Sequence, residues 1–230
     1  NTPMIDITFF GHNSFLIKSD VSIFIDPFIT PNPKAKEINI NEIIADFILI
    51  THGHMDHIAD VDKILQHNDA KIIAIVEVAG WLAAQGHTRL HGLNFGGTYH
   101  FSNRTSAKFV QAVHSSSMPD GTYGGQPGSY IFKTQGKTIF IAGDTALHSD
   151  LKLFGALNSI DLAILPIGGN YTMDVEDAVH AAKFLGCEKV IGCHYNTFPE
   201  ITIDHQSAIE LFNSHKLDLM LLTIGEKISI

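Results

Sequence analysis

Basic clusters, long apolar runs and cysteine pairs are all scarce in this sequence of 230 residues. Its 15 Lys and Arg are outnumbered by 24 Asp and Glu and lie scattered along the chain, which argues against a nucleic-acid partner. No run reaches the roughly 18 apolar residues of a membrane-spanning helix, so no membrane association is expected. Two cysteines, Cys187 and Cys193, are too few for a disulfide framework, and we predict free thiols in a cytoplasmic protein.

Histidine, by contrast, is abundant, with 14 residues in a chain whose formal net charge is −9. Imidazole is the commonest metal ligand in proteins, and an acidic chain is suited to binding cations. The 45% hydrophobic content supports a well-buried core. The composition therefore predicts a globular, metal-binding protein.

Short runs of β-branched and aromatic residues, bounded by Gly, Asn, Asp and Pro, predict twelve strands and alternate with helical patterns. The predicted strands cover residues 5–10, 15–18, 21–26, 47–51, 71–76, 108–114, 130–134, 138–142, 162–166, 190–194, 219–223 and 227–230. The predicted helices cover residues 57–66, 77–85, 175–185 and 205–214. Hairpins followed by strand–helix alternation occur twice, which predicts one domain (1–230) with two similar halves, about 1–100 and 101–230. Two sheets packed face to face with helices outside would produce this order.

The segment ILITHGHMDHIAD carries the strongest chemical signal. A predicted buried strand ends at Thr51, and the next six residues read His-x-His-x-Asp-His. Alternation places His52 and His54 on one side of the loop, where both imidazoles can reach one ion. Asp56 and His57 would face a neighbouring ion at the start of the next helix. Imidazole and carboxylate ligands together favour zinc, manganese or iron over calcium or magnesium.

Four ligands cannot saturate two ions, so distant ligands are expected at the ends of other strands. Three candidates fit this expectation. His114 closes the run KFVQAVH, Asp144 follows TIFIAG, and His194 closes KVIGCH. Each alone could be a core histidine or a turn residue, but together with the first motif they are predicted ligands.

The ordered set of seven ligands resembles that of the metallo-β-lactamase superfamily over the whole chain. Four further segments look like the UPF0173 group of metal-dependent hydrolases, which is similar to the ascorbate-6-phosphate lactonase branch. They are GHNSFLI (11–17), IDPF (25–28), LPIGGNYTM (165–173) and HYNTFP (194–199).

The resemblance implies an α/β, four-layer αββα sandwich with the site at one edge between the sheets. It also implies that His52, His54 and His114 hold a first metal ion, and that Asp56, His57 and His194 hold a second. Asp144 would bridge the two ions. A carboxylate at position 144, where the best-known zinc β-lactamases have Cys, argues against lactam hydrolysis. The expected cofactors are two divalent ions, zinc first, with manganese or iron as alternatives.

Asp56, Asp144 and His12 are the candidate catalytic residues, since Asp144 could accept a proton and the resemblance suggests that His12 faces the cleft. The alternative for His12 is an ordinary surface histidine. Asp26 could orient a ligand histidine, or could simply end a strand. Tyr195 and Asn196 could contact substrate, or form a polar loop. Gly168–Asn170 could offer backbone donors, although an ordinary tight turn is the better interpretation. The remaining histidines are interpreted as surface or structural: His67, His87, His91, His100, His148, His180, His205 and His215.

The predicted reaction is hydrolysis of an ester, lactone or phosphoester in a small substrate, by a hydroxide generated on the ion pair. Small phosphodiesters or phospholipid-like esters remain the alternative substrates. RNA processing lacks the expected basic surface, and diiron oxygen reduction lacks the Glu expected at position 54 and a flavin domain. The alternative outside the enzymes is a module that binds or senses metal without catalysis.

Overall fold

Two seven-stranded sheets form the centre of the computed structural model, which describes residues 4–230. The first sheet has the order β14-β1-β2-β3-β4-β5-β6, and the second has the order β13-β12-β11-β10-β9-β8-β7. The strands are β1 Asp6–Phe9, β2 Phe15–Lys18, β3 Ser22–Ile25, β4 Phe47–Leu49, β5 Lys71–Ile75, β6 Leu90–Leu93, β7 Thr98–His100, β8 Thr105–Gln111, β9 Gly128–Thr134, β10 Lys137–Ile141, β11 Leu162–Pro166, β12 Lys189–Cys193, β13 Asp218–Met220 and β14 Lys227–Ser229. The helices are α1 Met55–Ile58, α2 Val61–Leu65, α3 Val76–Ala84, α4 Asp150–Leu157, α5 Val175–Leu185 and α6 His205–Ser214.

The two sheets repeat one pairing pattern. Read from β14 to β6, three antiparallel pairs are followed by three parallel pairs. Read from β7 to β13, the second sheet shows the same succession. β1 therefore occupies the same position in its sheet as β8 does in the other, and β3 the same position as β10.

The main core lies between the sheets. Phe15 and Ile48 of the first sheet share an apolar cluster with Phe109 and Phe132 of the second, and all four are fully buried. Tyr130 of β9 crosses this core and donates its hydroxyl to the carbonyl of Ile50, 2.7 Å away. This contact ties the centre of the second sheet to the segment that precedes the metal-binding motif.

Helices cover both outer faces and complete four layers. α2 and α3 bury Val61 and Val78 against the first sheet. A second apolar cluster joins the outer face of the second sheet, including Phe140, to α5 and α6 through Val179 and Phe212. The predicted α/β class and αββα sandwich are confirmed.

Three elements were not predicted from the sequence: β6, β7 and α4. The two strands are short and partly exposed, so they lack a strong apolar alternation. α4 contains Gly155, a poor helix former. There the glycine is required by packing, because a Cβ would lie 2.5 Å from the carbonyl oxygen of Phe184 in α5.

Several predicted boundaries differ from the structure, and two of these differences lie beside the predicted metal site. The helix predicted over 57–66 is two short helices, α1 and α2, separated at Asp60. The Asp60 carboxylate accepts the backbone N–H groups of Ile29 and Thr30, so it fastens the loop after β3 to this junction. The strand predicted over 108–114 ends at Gln111, and His114 follows it by three residues.

Candidate metal centre

The His-x-His-x-Asp-His segment leaves β4 and turns into α1 within a few residues. Gly53 lies against the Met118 side chain, since a Cβ at this position would be 2.4 Å from the Met118 sulfur. The Gly53 N–H donates to Ser116 Oγ at 3.0 Å. The loop is thus fastened to the segment that follows β8 of the second sheet.

One cluster of possible ligands contains His52, His54, His114 and Asp144, whose ligand atoms all lie within 4.8 Å of one another. His52 Nε2 lies 3.1 Å from His54 Nδ1 and 3.6 Å from Asp144 Oδ2. His114 Nε2 lies 3.4 Å from the same carboxylate oxygen. Three imidazoles and a carboxylate at such separations match the first metal set implied by the resemblance.

A second cluster contains His12, Asp56, His57 and His194, with the same 4.8 Å limit. His57 Nε2 and His194 Nε2 lie 3.4 and 3.5 Å from Asp56 Oδ2. Both nitrogens also approach Asp144 Oδ2, at 3.2 and 3.1 Å respectively. One oxygen of Asp144 therefore contacts both clusters, as a bridging carboxylate would.

Several buried atoms of these clusters have no hydrogen-bond partner within residues 4–230. They are His57 Nε2, Asp144 Oδ1 and both ring nitrogens of His194. Buried polar atoms without partners are rare and destabilising in folded proteins. Since the donor types are those of transition-metal sites, the arrangement fits a pair of divalent cations.

Asp26 binds the outer side of this centre. Its carboxylate lies 2.7 Å from His57 Nδ1 and accepts from Asn13 Nδ2, at 2.7 Å, and from Thr51 N and Oγ1, at 2.8 and 2.6 Å. Because Thr51 Oγ1 donates to Asp26, it is free to accept from His52 Nδ1, 3.0 Å away. His57 and His52 thus direct Nε2 towards the ligand clusters, an arrangement that outer carboxylates commonly impose on metal-binding histidines.

His12 is fully buried within this centre and has no surface character. Its Nε2 lies 2.7 Å from Asp56 Oδ2, and its Nδ1 lies 2.7 Å from Thr197 Oγ1. Its ring centroid lies 3.9 Å from that of His194. Desolvation by burial, reinforced by the neighbouring His194, lowers the pKa of His12 to about 4.

Tyr195 and Asn196 lie beside the centre and not in it. The Tyr195 side chain packs in the outer apolar cluster of the second sheet. Asn196 Oδ1 accepts from the N–H of Ile203, and its Nδ2 contacts His205 Nε2 at 3.0 Å, so the amide mainly holds its own loop. Both residues also line a cavity of about 340 Å³ that adjoins His12.

The turn at Gly168–Asn170 packs closely on the metal centre's backbone. A Cβ at Gly168 would lie 2.1 Å from the carbonyl oxygen of His194. Gly169 and Asn170 both have positive φ, and the Gly169 N–H donates to the Met173 carbonyl. The ordinary tight turn accounts for these contacts.

The electrostatics of the centre are dominated by buried carboxylates among imidazoles. Desolvation alone would raise the pKa of Asp144, but His194 and His57 hold it well below its usual value. Desolvation likewise opposes protonation of His194, yet the charge of Asp144 raises its pKa to about 9. A buried negative potential that attracts protons to histidines will also attract cations to the same nitrogens.

Sequence reasoning missed the hydroxyl and amide groups that hold the ligands. Asn13 and Thr51 fix Asp26, Thr197 contacts His12, and Ser116 anchors the metal-binding loop. Asn13 and Thr51 adjoin residues of recognised motifs, and that proximity is the signal that could have identified them. No histidine interpreted as surface or structural belongs to a possible metal cluster in the described part of the chain.

Comparison with known proteins agrees with this geometry. The model of the beta-lactamase superfamily domain matches residues 22–195. Fold, ligand order and this match together show that the chain belongs to the metallo-β-lactamase superfamily.

Closer relatives identify a narrower group. The chain is 48% identical over 225 residues to a UPF0173 metal-dependent hydrolase of Flavobacterium johnsoniae, covering 97% of this chain and 99% of that protein. It is 45% identical to its counterpart in Christiangramia forsetii, with the same coverage. The chain is thus a member of the UPF0173 group, as its sequence motifs predict.

Solved structures support the assignment. Igni18, a metallo hydrolase of Ignicoccus hospitalis, superimposes with a TM-score of 0.89 at 35% identity, covering 99% of this chain and 98% of that one. An isothiocyanate hydrolase from Delia radicum gut bacteria gives a TM-score of 0.80 over 98% of both chains. At 17% identity, the second likeness concerns the fold alone.

Proposed function

We propose that this protein is a hydrolase that binds two divalent ions and cleaves an ester, lactone or phosphoester in a small substrate. The observation that carries the proposal is the position of Asp144. Its Oδ2 lies between 3.1 and 3.6 Å from imidazole nitrogens of His52, His57, His114 and His194, which come from both ligand clusters. Membership of a metal-dependent hydrolase group supports the reaction class.

The ligands are assigned as the resemblance implies. His52, His54 and His114 would hold one ion, Asp56, His57 and His194 the other, with Asp144 between them. Zinc suits this donor set first, and manganese or iron are the alternatives. When bound, divalent ions would lower the pKa of coordinated water and polarise the oxygen of the scissile group.

The chain's own residues then divide the remaining tasks. Asp144 is 2% exposed, and its Oδ1 has no hydrogen-bond partner among the described residues, so both of its oxygens are available to position the two ions. Asp56 and His54 are only partly buried. These two therefore line the side from which a substrate approaches. Asp26 keeps His57 in the orientation that binding requires.

The cavity beside His12 is a candidate place for the part of the substrate that is not cleaved. Its 340 Å³ lies within the range of small-molecule sites. Lys34 and His205 line it, and no carboxylate does within the described chain. In a protein of net charge −9 such a lining favours an anionic group. A larger cavity, of about 600 Å³, lies at the opposite ends of the strands.

A matched pair of lysine variants tests this placement. Lys34→Ala should raise KM for an ester with a distal carboxylate or phosphate by up to about fivefold, because the Lys34 side chain is exposed and such an ion pair contributes at most about 1 kcal/mol. It should leave the neutral parent ester unaffected. Lys36→Ala, two residues away and outside the cavity lining, serves as the control. Equal KM values in both variants would remove the cavity from the proposal.

Metal loading and turnover test the function itself. The protein is stripped with a chelator, reloaded separately with zinc, manganese or ferrous iron, and assayed for bound metal and for hydrolysis of esters, lactones and phosphodiesters. His54→Ala should lose metal and activity together, whereas His100→Ala, an exposed histidine of β7, should keep both. Full turnover by chelated protein would refute the mechanism.

Several narrower expectations accompany the proposal. Small phosphodiesters or phospholipid-like esters stay alternative substrates, and a metal-binding module without turnover stays the alternative class.

A small-molecule substrate without nucleic-acid or membrane partners is supported by the charge pattern. A cytoplasmic location is supported by the two cysteines, which are free and buried. The apolar cluster shared by both sheets supports a single domain.

None of the helices within residues 4–230 is long and apolar enough to cross a membrane.

A further inference from the structure

The repeated pairing pattern of the two sheets places two histidines at equivalent positions. β1 and β8 correspond in the order and direction of their neighbours. His12 is the third residue after the end of β1, and His114 is the third residue after the end of β8. His114 lies in the first ligand cluster and His12 in the second. The two halves of the fold thus each direct one such histidine towards a different cluster.

The contacts of His12 resemble those of a metal ligand. Its Nδ1 faces the hydroxyl oxygen of Thr197 at 2.7 Å, and that hydroxyl can itself donate to the carbonyl of Tyr195 at 3.4 Å. In the tautomer in which Nδ1 donates to this hydroxyl, Nε2 presents its lone pair on the side of Asp56 Oδ2, 2.7 Å away. In that tautomer the Nε2 lone pair and the carboxylate oxygen lie side by side, so that one cation beside them can bind both atoms.

The same arrangement recurs at two predicted ligands. His52 can donate from Nδ1 to the hydroxyl of Thr51, which donates to Asp26, and His57 can donate from Nδ1 to Asp26 directly. In each case an outer oxygen fixes the tautomer, and Nε2 points into the centre. In this tautomer His12 shares with these two residues the burial and the direction of Nε2 towards the centre.

We propose that His12 is an additional ligand of the second ion, so that eight residues and not seven build the centre. This inference rests on the proposed two-ion function. The second ion would have His12, Asp56, His57 and His194 besides the shared Asp144, one protein ligand more than the first ion. A donor set larger than the four of a tetrahedral site favours ions that accept higher coordination, such as manganese or ferrous iron.

The substitution that removes the His12 imidazole must suit the backbone conformation at this position. His12 has φ of +55°, a region that asparagine tolerates better than most residues. His12→Asn therefore removes the ring with little backbone strain, and its shorter side chain cannot reach Asp56. His12→Gln is the second variant, because its amide can still donate a hydrogen bond to Asp56 but offers no imidazole nitrogen. His100→Ala is the control for loss of an exposed histidine.

Metal stoichiometry, chelator competition and the visible spectrum of the cobalt-substituted protein are measured for all four proteins, with circular dichroism to verify folding. We expect two ions per chain in the wild type and the control. His12→Asn and His12→Gln should both keep one ion, bind the other at least 10-fold more weakly and change the cobalt spectrum.

Unchanged affinity for both ions in His12→Asn would overturn the inference and leave the proposed function intact. Recovery of wild-type affinity and spectrum in His12→Gln would assign His12 as a hydrogen-bond donor to Asp56 and would also overturn it. Fewer than two ions in the wild type would overturn the proposed function, and with it this inference.

Discussion

Replacing Asp26 by Asn should destabilise the protein and weaken metal binding together. Oδ1 of Asp26 accepts one hydrogen bond, from Thr51 N, whereas Oδ2 accepts from Asn13, contacts His57 Nδ1 and accepts from the Thr51 hydroxyl. An amide is isosteric with the carboxylate, but in either orientation its nitrogen would face at least one donor. The less damaging orientation leaves the Thr51 N–H without an acceptor in a fully buried site.

The magnitude follows from these four contacts. One buried donor without a partner costs about 1–3 kcal/mol, and three bonds that lose a charged acceptor lose roughly 0.5–1 kcal/mol each. We expect Asp26→Asn to lower the free energy of unfolding of the metal-free protein by about 3–5 kcal/mol. Since His57 loses the charged partner that orients it, metal affinity should fall about 10–100-fold.

Urea denaturation in the presence of a chelator measures the first quantity, and competition with a chromophoric chelator measures the second. Asp69→Asn is the control, because Asp69 forms an exposed ion pair with Arg89, and such pairs contribute at most about 1 kcal/mol. An Asp26→Asn protein within about 0.5 kcal/mol of wild type, with unchanged metal affinity, would refute the reasoning.

Three further predictions concern other parts of the molecule. Thr51→Val removes the hydroxyl that orients His52, so the affinity for the first ion should fall about tenfold. Chelator competition measures this affinity, and an unchanged value would contradict the prediction. Gly155→Ala would place a Cβ against backbone atoms of α5, and thermal denaturation should show a loss of about 1–3 kcal/mol, not the gain expected for alanine in a free helix. Desolvation opposes ionisation of Asp20, but hydrogen bonds from Ser102, Thr105 and Ser19 lower its pKa to about 2. Its stabilising contribution is therefore complete above about pH 4 and lost as the pH falls through 2, so the stability difference between wild type and Asp20→Asn should narrow over that interval.

Local chemistry decided what could be predicted of the site. Four ligand side chains within six residues, after a buried strand, are informative alone, because loop geometry forces them together. His114, Asp144 and His194 could be inferred because each follows a recognisable apolar strand. The fold class followed from the same strand and helix periodicities, which depend on near neighbours in the chain.

Elements and contacts decided by distant residues could not be predicted. α4 depends on Gly155 fitting against α5, and β6 and β7 depend on pairing with strands already in place.

The sequence by itself determined the family and predicted the candidate ligands and their order, because these reside in short motifs. Only the tertiary structure decided the role open to His12, whose partners Asp56 and Thr197 lie 44 and 185 residues away in the chain. The physical reason is that the surroundings of a buried imidazole are set by residues far away in the chain, and packing of the two sheets brings those residues to its two nitrogens.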